Sequence, residues 1–219
     1  MKMVKVIGKI MQGLFCVIRS NRMLFSLLTL VVMSLTVFAF AEDKTLSKPD
    51  ILGEEAVFMT KGFSSYDTII INSLNMDKAE YSRVDEEERA KIESMKPMMG
   101  TIFISTIEAE LKKKNLFKNI KINAKPEGNE LIFNANVDEF NAGSRALTFF
   151  VGFGSGKVHI VMTGKFIDAA TGKELASFKD QEAGGFFGSQ DLGGFEGKFP
   201  AFVGRIATLS TEFIEKLYK

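Results

Sequence analysis

Residues 158–178 constrain the fold more than any other stretch, because their side chains alternate with a period of two. Four large apolar residues fall on one face, with Gly164 among them: Val158, Ile160, Met162 and Phe166. This period is typical of a strand with one face in a core, and apolar residues on the other face favour a central position. Residues 168–173 supply turn chemistry, and residues 174–178 return as a second strand. The stretch therefore predicts a β-hairpin.

Three further segments have the length and composition of strands, at residues 67–74, 116–124 and 130–140. The last of them alternates clearly. Its apolar face carries Leu131, Phe133, Ala135 and Val137.

A helix is predicted to begin near Arg83, because Ser82 and Asp85 have the spacing of a capping box and acidic residues 85–88 fill the first turn. Pro97 is expected to kink or restart this helix. An apolar stripe then recurs every four residues, at Phe103, Ile107 and Leu111.

Pro200 suits the first turn of a final helix, whose apolar stripe recurs at intervals of three and four. That stripe consists of Phe202, Ile206, Leu209, Phe213 and Leu217. The order of elements predicts an α/β (α+β) fold. We expect a single mixed, mostly antiparallel sheet of about five strands, with two main helices packed on one face and a signal peptide before it.

The first 41 residues have the organisation of a secretory signal peptide. Residues 1–22 contain basic but no acidic side chains, and residues 23–41 are apolar and end in Ala39-Phe40-Ala41. This pattern predicts cleavage after Ala41 and export to the periplasm or cell envelope. The apolar run is close to the roughly 20 residues that span a bilayer, so an uncleaved membrane anchor is the alternative.

After the leader, residues 42–66 are interpreted as an extended lead-in and residues 67–219 as a single α/β domain. Five of the 28 basic residues and none of the 27 acidic residues lie in the leader, which leaves 23 basic against 27 acidic residues and a net charge of −4. Phosphate binding needs a basic patch, so nucleic acid is not expected as a partner. The single cysteine, Cys16, lies in the leader, so disulfides and thiolate chemistry are not expected in the domain.

The sequence contains no recognisable catalytic set. His159 is the single histidine, and one histidine without cysteine does not make a zinc site. Asp138 and Glu139 are adjacent on a predicted strand, so their side chains are expected on opposite faces and cannot flank one substrate bond. The glycine run at 152–156 precedes a strand, whereas a dinucleotide loop opens a helix. We therefore expect no enzyme activity, no cofactor and no metal.

Two loops rich in glycine and phenylalanine, at residues 143–156 and 181–198, are the candidate interaction surface. The hairpin topology brings both loops to the same end of the sheet. Exposed there, they would form an apolar patch for another envelope protein or a membrane surface; the alternative is that they pack as a minor core. The candidate contact residues are Arg145, Phe149, Phe150, Phe153, Phe186, Phe187 and Phe195.

Residues 141–178 also carry a pattern of an arginine, a glycine run, an alternating strand and a closing turn. The residues that make it are Arg145, Gly152, Gly154, Gly156, Asp168, Thr171, Gly172 and Lys173. This pattern resembles an uncharacterised bacterial secreted family, the domain of unknown function 4410. The resemblance implies an exported α/β domain over residues 60–217 with no established activity. Members often look like lipoproteins, but this leader does not end in the lipid-bearing cysteine.

The predicted helix, followed by Leu116-Phe117 and a strand, is loosely similar to the amino-terminal domain of the envelope accessory protein TolB.

Together these observations predict a non-catalytic exported envelope or periplasmic protein that binds another envelope component through its two loops. A periplasmic domain that binds a small molecule or lipid in a phenylalanine-lined pocket is the alternative. A hydrolase with acids that the sequence cannot pair is less favoured. The oligomeric state is left open.

Overall fold

The computed structural model describes residues 45–143, 156–184 and 194–219. Within these residues the chain forms seven strands, two long helices and a short 3-10 turn at Phe63–Ser65. The strands are β1 (Glu54–Val57), β2 (Thr68–Ile71), β3 (Glu80–Ser82), β4 (Asn119–Ile122), β5 (Leu131–Asn141), β6 (Val158–Asp168) and β7 (Glu174–Gly184). The helices are α1 (Glu86–Lys114) and α2 (Phe195–Leu217).

The strands form one mixed sheet in the order β1-β7-β6-β5-β2-β4, and β3 pairs with β5 beside this path. The pairings of β1, β7, β6 and β5 are antiparallel, which confirms the predicted β6–β7 hairpin. The pairings of β2 with β4, β2 with β5 and β3 with β5 are parallel. Parallel neighbours need a crossover connection, and α1 supplies it between β2 and β4.

The mixed α/β fold with two main helices is confirmed, but the prediction of about five strands is wrong. The two additional strands are β1, which lies inside the predicted lead-in and pairs with β7, and β3, which pairs with β5. They contain four and three residues. Segments this short cannot display alternation, and their strand conformation depends on partners distant in sequence.

Aromatic rings join the two helices to one face of the sheet. Phe133 of β5 and Phe166 of β6 stack with centroids 4.5 Å apart and an interplanar angle of 7°. Phe103 of α1 lies 5.9 Å from Phe133, and Phe213 of α2 lies 5.7 Å from Phe166. All four side chains are fully buried. Both helices therefore cover the same face, and burial of these rings is a main source of stability.

Helix α1 begins later than the sequence predicted. Asp85 is its N-cap: one carboxylate oxygen accepts a hydrogen bond from the Glu88 amide at 2.8 Å, while the Glu88 carboxylate accepts one from the Asp85 amide at 3.0 Å. The capping box is thus Asp85 with Glu88, not Ser82 with Asp85. Arg83 has a φ of 54° and lies outside the helix. Pro97 does not restart the helix, which is continuous over Glu86–Lys114.

The boundaries next to the second predicted loop also differ. Strand β7 extends to Gly184 instead of ending at Phe178, and α2 begins at Phe195, ahead of Pro200. The segment between them is therefore shorter than the predicted loop at residues 181–198. Glycine-rich composition suggested a loop here, but tertiary pairing and packing extend both elements into it.

Candidate functional site

Strand β5 ends, β6 begins and β7 ends at the same end of the sheet, which we call the loop end. Asn141 of β5 is in register with His159 of β6, and Val158 of β6 is in register with Gly184 of β7. Helix α2 also reaches this end, because Phe202 packs against Gly184. The described residues on either side of segments 144–155 and 185–193 therefore lie at the loop end.

The backbone of the loop end is closely packed at two glycines. Gly143 has a φ of +79°, and a Cβ atom there would lie 2.5 Å from the carbonyl oxygen of Gly156. A Cβ atom on Gly184 would lie 2.9 Å from the Phe202 ring. Only glycine satisfies both the conformation and the contact at position 143. The residues to which the two segments are attached are thus closely packed.

Six of the seven predicted contact residues lie outside the described residues: Arg145, Phe149, Phe150, Phe153, Phe186 and Phe187. The seventh, Phe195, is the first residue of α2 and only 6% exposed. Its ring lies 5.6 Å from the ring of Phe199 in the core. The sequence placed Phe195 in a loop; the structure places it in a helix and in the core, because α2 begins earlier than expected.

A β-bulge in β5 overturns the expectation that Asp138 and Glu139 face opposite ways. The pairing register with β6 shifts between Val137 and Glu139. Asp138 accepts a hydrogen bond from the Thr163 hydroxyl at 3.1 Å, and a Glu139 oxygen lies 3.5 Å from Nε2 of His159. Thr163 and His159 are four residues apart on β6 and share a face, so both acids lie on that face. The extra residue of the bulge resets the alternation.

The sequence carries a signal for this bulge that was missed. The apolar positions of β5 are odd-numbered through Val137, but the next fully buried residue is the even-numbered Phe140. A change of phase within one strand is what an inserted residue produces.

The loop end contains a polar network on the sheet face away from the helices. The Asn141 amide donates to Glu139 at 3.2 Å, and the Asn141 carbonyl oxygen accepts from the Gly143 amide at 3.0 Å. Burial opposes ionisation of Glu139, but hydrogen bonds from Ser82 and Asn141 and the nearby His159 outweigh it and hold the Glu139 pKa below its usual value. Glu139 is therefore a carboxylate at neutral pH.

Three other acids have structural hydrogen bonds. The Glu55 carboxylate accepts from three consecutive amides, residues 50–52, at 2.7 to 2.8 Å. Glu130 accepts from the amides of residues 127–129 at 2.8 to 3.0 Å. Asp168 closes the hairpin turn by accepting from the Thr171 amide and hydroxyl, and it also accepts from the Tyr66 hydroxyl at 2.6 Å. These bonds tie the three carboxylates to turns, to backbone amides and to Tyr66.

A groove of about 800 Å³ runs between α1 and the segment that follows β2. Its apolar part is formed by Leu74, Met76, Pro97, Ile104 and Ile122. Polar and charged side chains include Asp77, Glu93, Lys96 and Glu108. None of the described residues that line it is a phenylalanine, so it differs from the predicted phenylalanine-lined pocket. The sequence missed this groove because its walls come from three distant segments.

In the part of the chain that the structure describes, no group of three or more histidine, cysteine or acidic side chains is placed to hold a metal ion. No helix among those same residues is long and apolar enough to cross a membrane.

The sequence model of one family, the domain of unknown function DUF4410, matches residues 69–188, more than half of the chain. The chain belongs to the DUF4410 family. The resemblance carried by residues 141–178 is thereby confirmed, whereas the looser similarity to TolB stays a prediction. The matched residues extend from β2 to just beyond β7. Comparison with curated proteins yields no match.

Several solved structures are distantly similar to this DUF4410 member. The PelC dodecamer from Paraburkholderia phytofirmans is 12% identical, with 72% of this chain and 98% of that chain covered and a TM-score of 0.39. Protein XCC0632 from Xanthomonas campestris, of family DUF330, is 10% identical, with 76% and 92% covered and a TM-score of 0.43. Lipoprotein GNA1162 from Neisseria meningitidis is 11% identical, with 68% and 98% covered and a TM-score of 0.34. At these TM-scores the similarities carry no functional argument.

Proposed function

We propose that this protein is a non-catalytic, exported domain of the cell envelope that binds another envelope component through the loop end. One observation carries the proposal. The register of β5, β6 and β7 attaches residues 144–155 and 185–193 to one end of the sheet. These two segments contain five phenylalanines and several glycines, so a partner would meet both at once.

The absence of catalysis is part of the proposal, and the hydrogen bonding of the acids supports it. Asp168, Glu55 and Glu130 stabilise turns and backbone amides. The bulge does bring Asp138 and Glu139 to one face, but Thr163 and His159 respectively are their neighbours there. Both acids have protein partners within the sheet, which suits a structural role.

Export is supported by the basic and apolar leader that ends in Ala39-Phe40-Ala41. We expect the full chain, expressed in a bacterium with two membranes, to yield a periplasmic product whose amino terminus is Glu42. Cell fractionation followed by amino-terminal sequencing tests this. An intact chain in the membrane fraction would favour the anchor, and an intact chain in the cytoplasm would contradict export.

The binding surface is tested by changing one phenylalanine in each segment, Phe150→Ser and Phe187→Ser, in the exported protein. A phenylalanine at the centre of an interface contributes about 2 kcal/mol, so each change is expected to weaken capture of the envelope partner about thirtyfold. The readout is quantitative crosslinking and affinity purification from envelope extracts.

Phe58 is the matched control, because its side chain is 56% exposed and it lies near the opposite end of the sheet. There its amide donates a hydrogen bond to the Leu175 carbonyl oxygen. Phe58→Ser should retain the partner. If the Phe150 and Phe187 variants recover the same partners as the parent, the loop end is not the binding surface.

The groove along α1 favours a second candidate function, the binding of a small apolar molecule or lipid. Its volume of about 800 Å³ is within the range of ligand sites, and five apolar side chains line it. Gly100 lies on its wall, and a Cβ atom there would come no closer than 3.9 Å to Met76. Gly100→Leu should therefore fill the groove and still fold.

Native mass spectrometry of the exported protein tests this second function. A bound molecule that is present in the parent and lost in Gly100→Leu would support it. Protein that carries no molecule in either form would contradict it.

A further inference from the structure

The single histidine of the chain lies at the loop end with an acceptor near each ring nitrogen. Nε2 of His159 is 3.5 Å from a Glu139 oxygen, and Nδ1 is 3.4 Å from the carbonyl oxygen of Lys157. A neutral imidazole donates from only one nitrogen, whereas the protonated ring donates from both. Only the protonated form can therefore satisfy both neighbours at once.

These contacts join two strands and both ends of the first loop segment. Glu139 belongs to β5, and through Asn141 it is connected to the Gly143 amide, where residues 144–155 begin. Lys157 directly precedes β6, where that segment ends. A change in the charge of His159 therefore acts on both stems.

Acidic residues on two other strands lie near His159. Glu139 faces it from β5, and Glu80 of β3 is in register with Glu139. Lys157 directly precedes the strand of His159, Lys165 lies farther along it, and Ala183 is the residue opposite on β7. The lowered pKa of Glu139 keeps that carboxylate ionised at mildly acidic pH, and histidine is the side-chain type whose charge ordinarily changes there.

We propose that His159 is a pH-sensitive clasp. On acidification from about pH 7.5 to 5.5, protonated His159 binds Glu139 and the Lys157 carbonyl together and fastens the end of β5 to the start of β6. If the loop end binds a partner, which rests on the function proposed above, the clasp makes that binding stronger at mildly acidic pH. The clasp lies on a partly exposed face, with side-chain exposures of 20% for His159 and 26% for Glu139.

The test uses the exported protein without a histidine tag, so that one imidazole signal is present in its NMR spectrum. Amide hydrogen exchange, corrected for intrinsic rates, is measured at pH 7.5 and 5.5. We expect the protection of the Gly143 and Val158 amides to rise about two- to fivefold at the lower pH, as a partly exposed ion pair allows. His159→Gln and Glu139→Gln should abolish this rise.

A second measurement keeps the proposal testable if a variant fails to fold. In the unaltered protein, the chemical shifts of the Gly143 and Val158 amides should titrate with the same midpoint as the imidazole. Protection that does not change with pH, or that rises equally in His159→Gln, would overturn the clasp. So would amide shifts that titrate independently of the imidazole.

Neither readout needs a partner, so the two proposals can fail separately. If amide exchange responds to pH but the Phe150 and Phe187 variants keep their partners, only the proposed function is contradicted. If the variants lose their partners but amide protection does not change with pH, only the clasp is contradicted.

Discussion

Gly164, near the middle of β6, has no room for a side chain. A Cβ atom there would lie 2.2 Å from the ring of Phe178 on the neighbouring strand. The aromatic ring occupies the space that any other residue would need. Gly100 in α1 is the opposite case, because its surroundings are open.

Gly164→Ala is expected to destabilise the protein by about 1–3 kcal/mol through overpacking. The matched change Gly100→Ala should stabilise it by about 1 kcal/mol, because alanine is the better helix former. Urea unfolding at pH 7 measures both. Gly164→Ala should cost less stability in a Phe178→Leu background than in the parent, because the smaller leucine leaves room for the added methyl group. Equal effects of the two alanine substitutions would contradict this account.

Asp85→Ala should cost about 1 kcal/mol, because it removes the carboxylate that accepts the Glu88 amide bond of the capping box at the start of α1. Glu86→Ala is the control, since Glu86 is in the same first turn but forms no part of the box, and it should cost only a few tenths of a kcal/mol. Thermal unfolding of the two variants distinguishes them. Similar losses would mean that first-turn charge, and not the cap, stabilises this end.

At the scale of single elements, prediction from sequence succeeded where a pattern was long enough to repeat. Strand β6 displays its alternation over 11 residues, and the stripe of Phe103, Ile107 and Leu111 marks the buried side of α1. It failed for β1 and β3, whose conformation depends on pairing with β7 and β5. The start of α2 was missed because glycine-rich composition outweighed the apolar spacing of Phe195 and Phe199.

The candidate site follows the same division. The convergence of the two loops at one end of the sheet could be predicted, because it follows from hairpin topology alone. The His159–Glu139 contact could not, since it depends on the bulge at Asp138. The groove depends on how α1 crosses the segment after β2, and no local pattern reports a crossing of that kind.

Phe195→Ser provides a test of where α2 begins. If this side chain is in the core, the change should cost about 3 kcal/mol, as truncation of a buried phenylalanine does. Phe58→Ser, on an exposed ring, should change stability by less than about 0.5 kcal/mol. Chemical denaturation gives both values. An unchanged stability in Phe195→Ser, together with a lost partner, would return this residue to the interaction surface.

For the whole molecule, acid stability should be governed by carboxylates with lowered pKa values. Hydrogen bonds from Thr171 and Tyr66 lower the pKa of Asp168, and the Lys165 ammonium and Ser177 lower that of Glu174. Such groups contribute stability above their unfolded pKa of about 4, and this contribution is lost as pH falls through the folded value. Burial raises the pKa of Glu182, which acts in the opposite direction.

We therefore expect the free energy of unfolding to fall steeply only below about pH 4.5. Asp168→Asn should lower stability at pH 7, and its difference from the parent should shrink as the pH approaches 2.5, because the parent then loses the same charge. Denaturant unfolding at a series of pH values tests this. A difference that stays constant with pH would show that the Asp168 charge does not contribute.

The two helices cover one sheet face, but the residues that identify the DUF4410 family end at 188, before α2 begins at Phe195. Strand β1, which ends at Val57, lies outside them on the other side. A chain trimmed to the matched region would leave the rings that face Phe199 and Phe213 uncovered and the outer edge of β7 unpaired. We therefore expect that the region matched by the family model is smaller than the unit that folds on its own. A fragment of this chain should therefore keep both flanks if it is to fold.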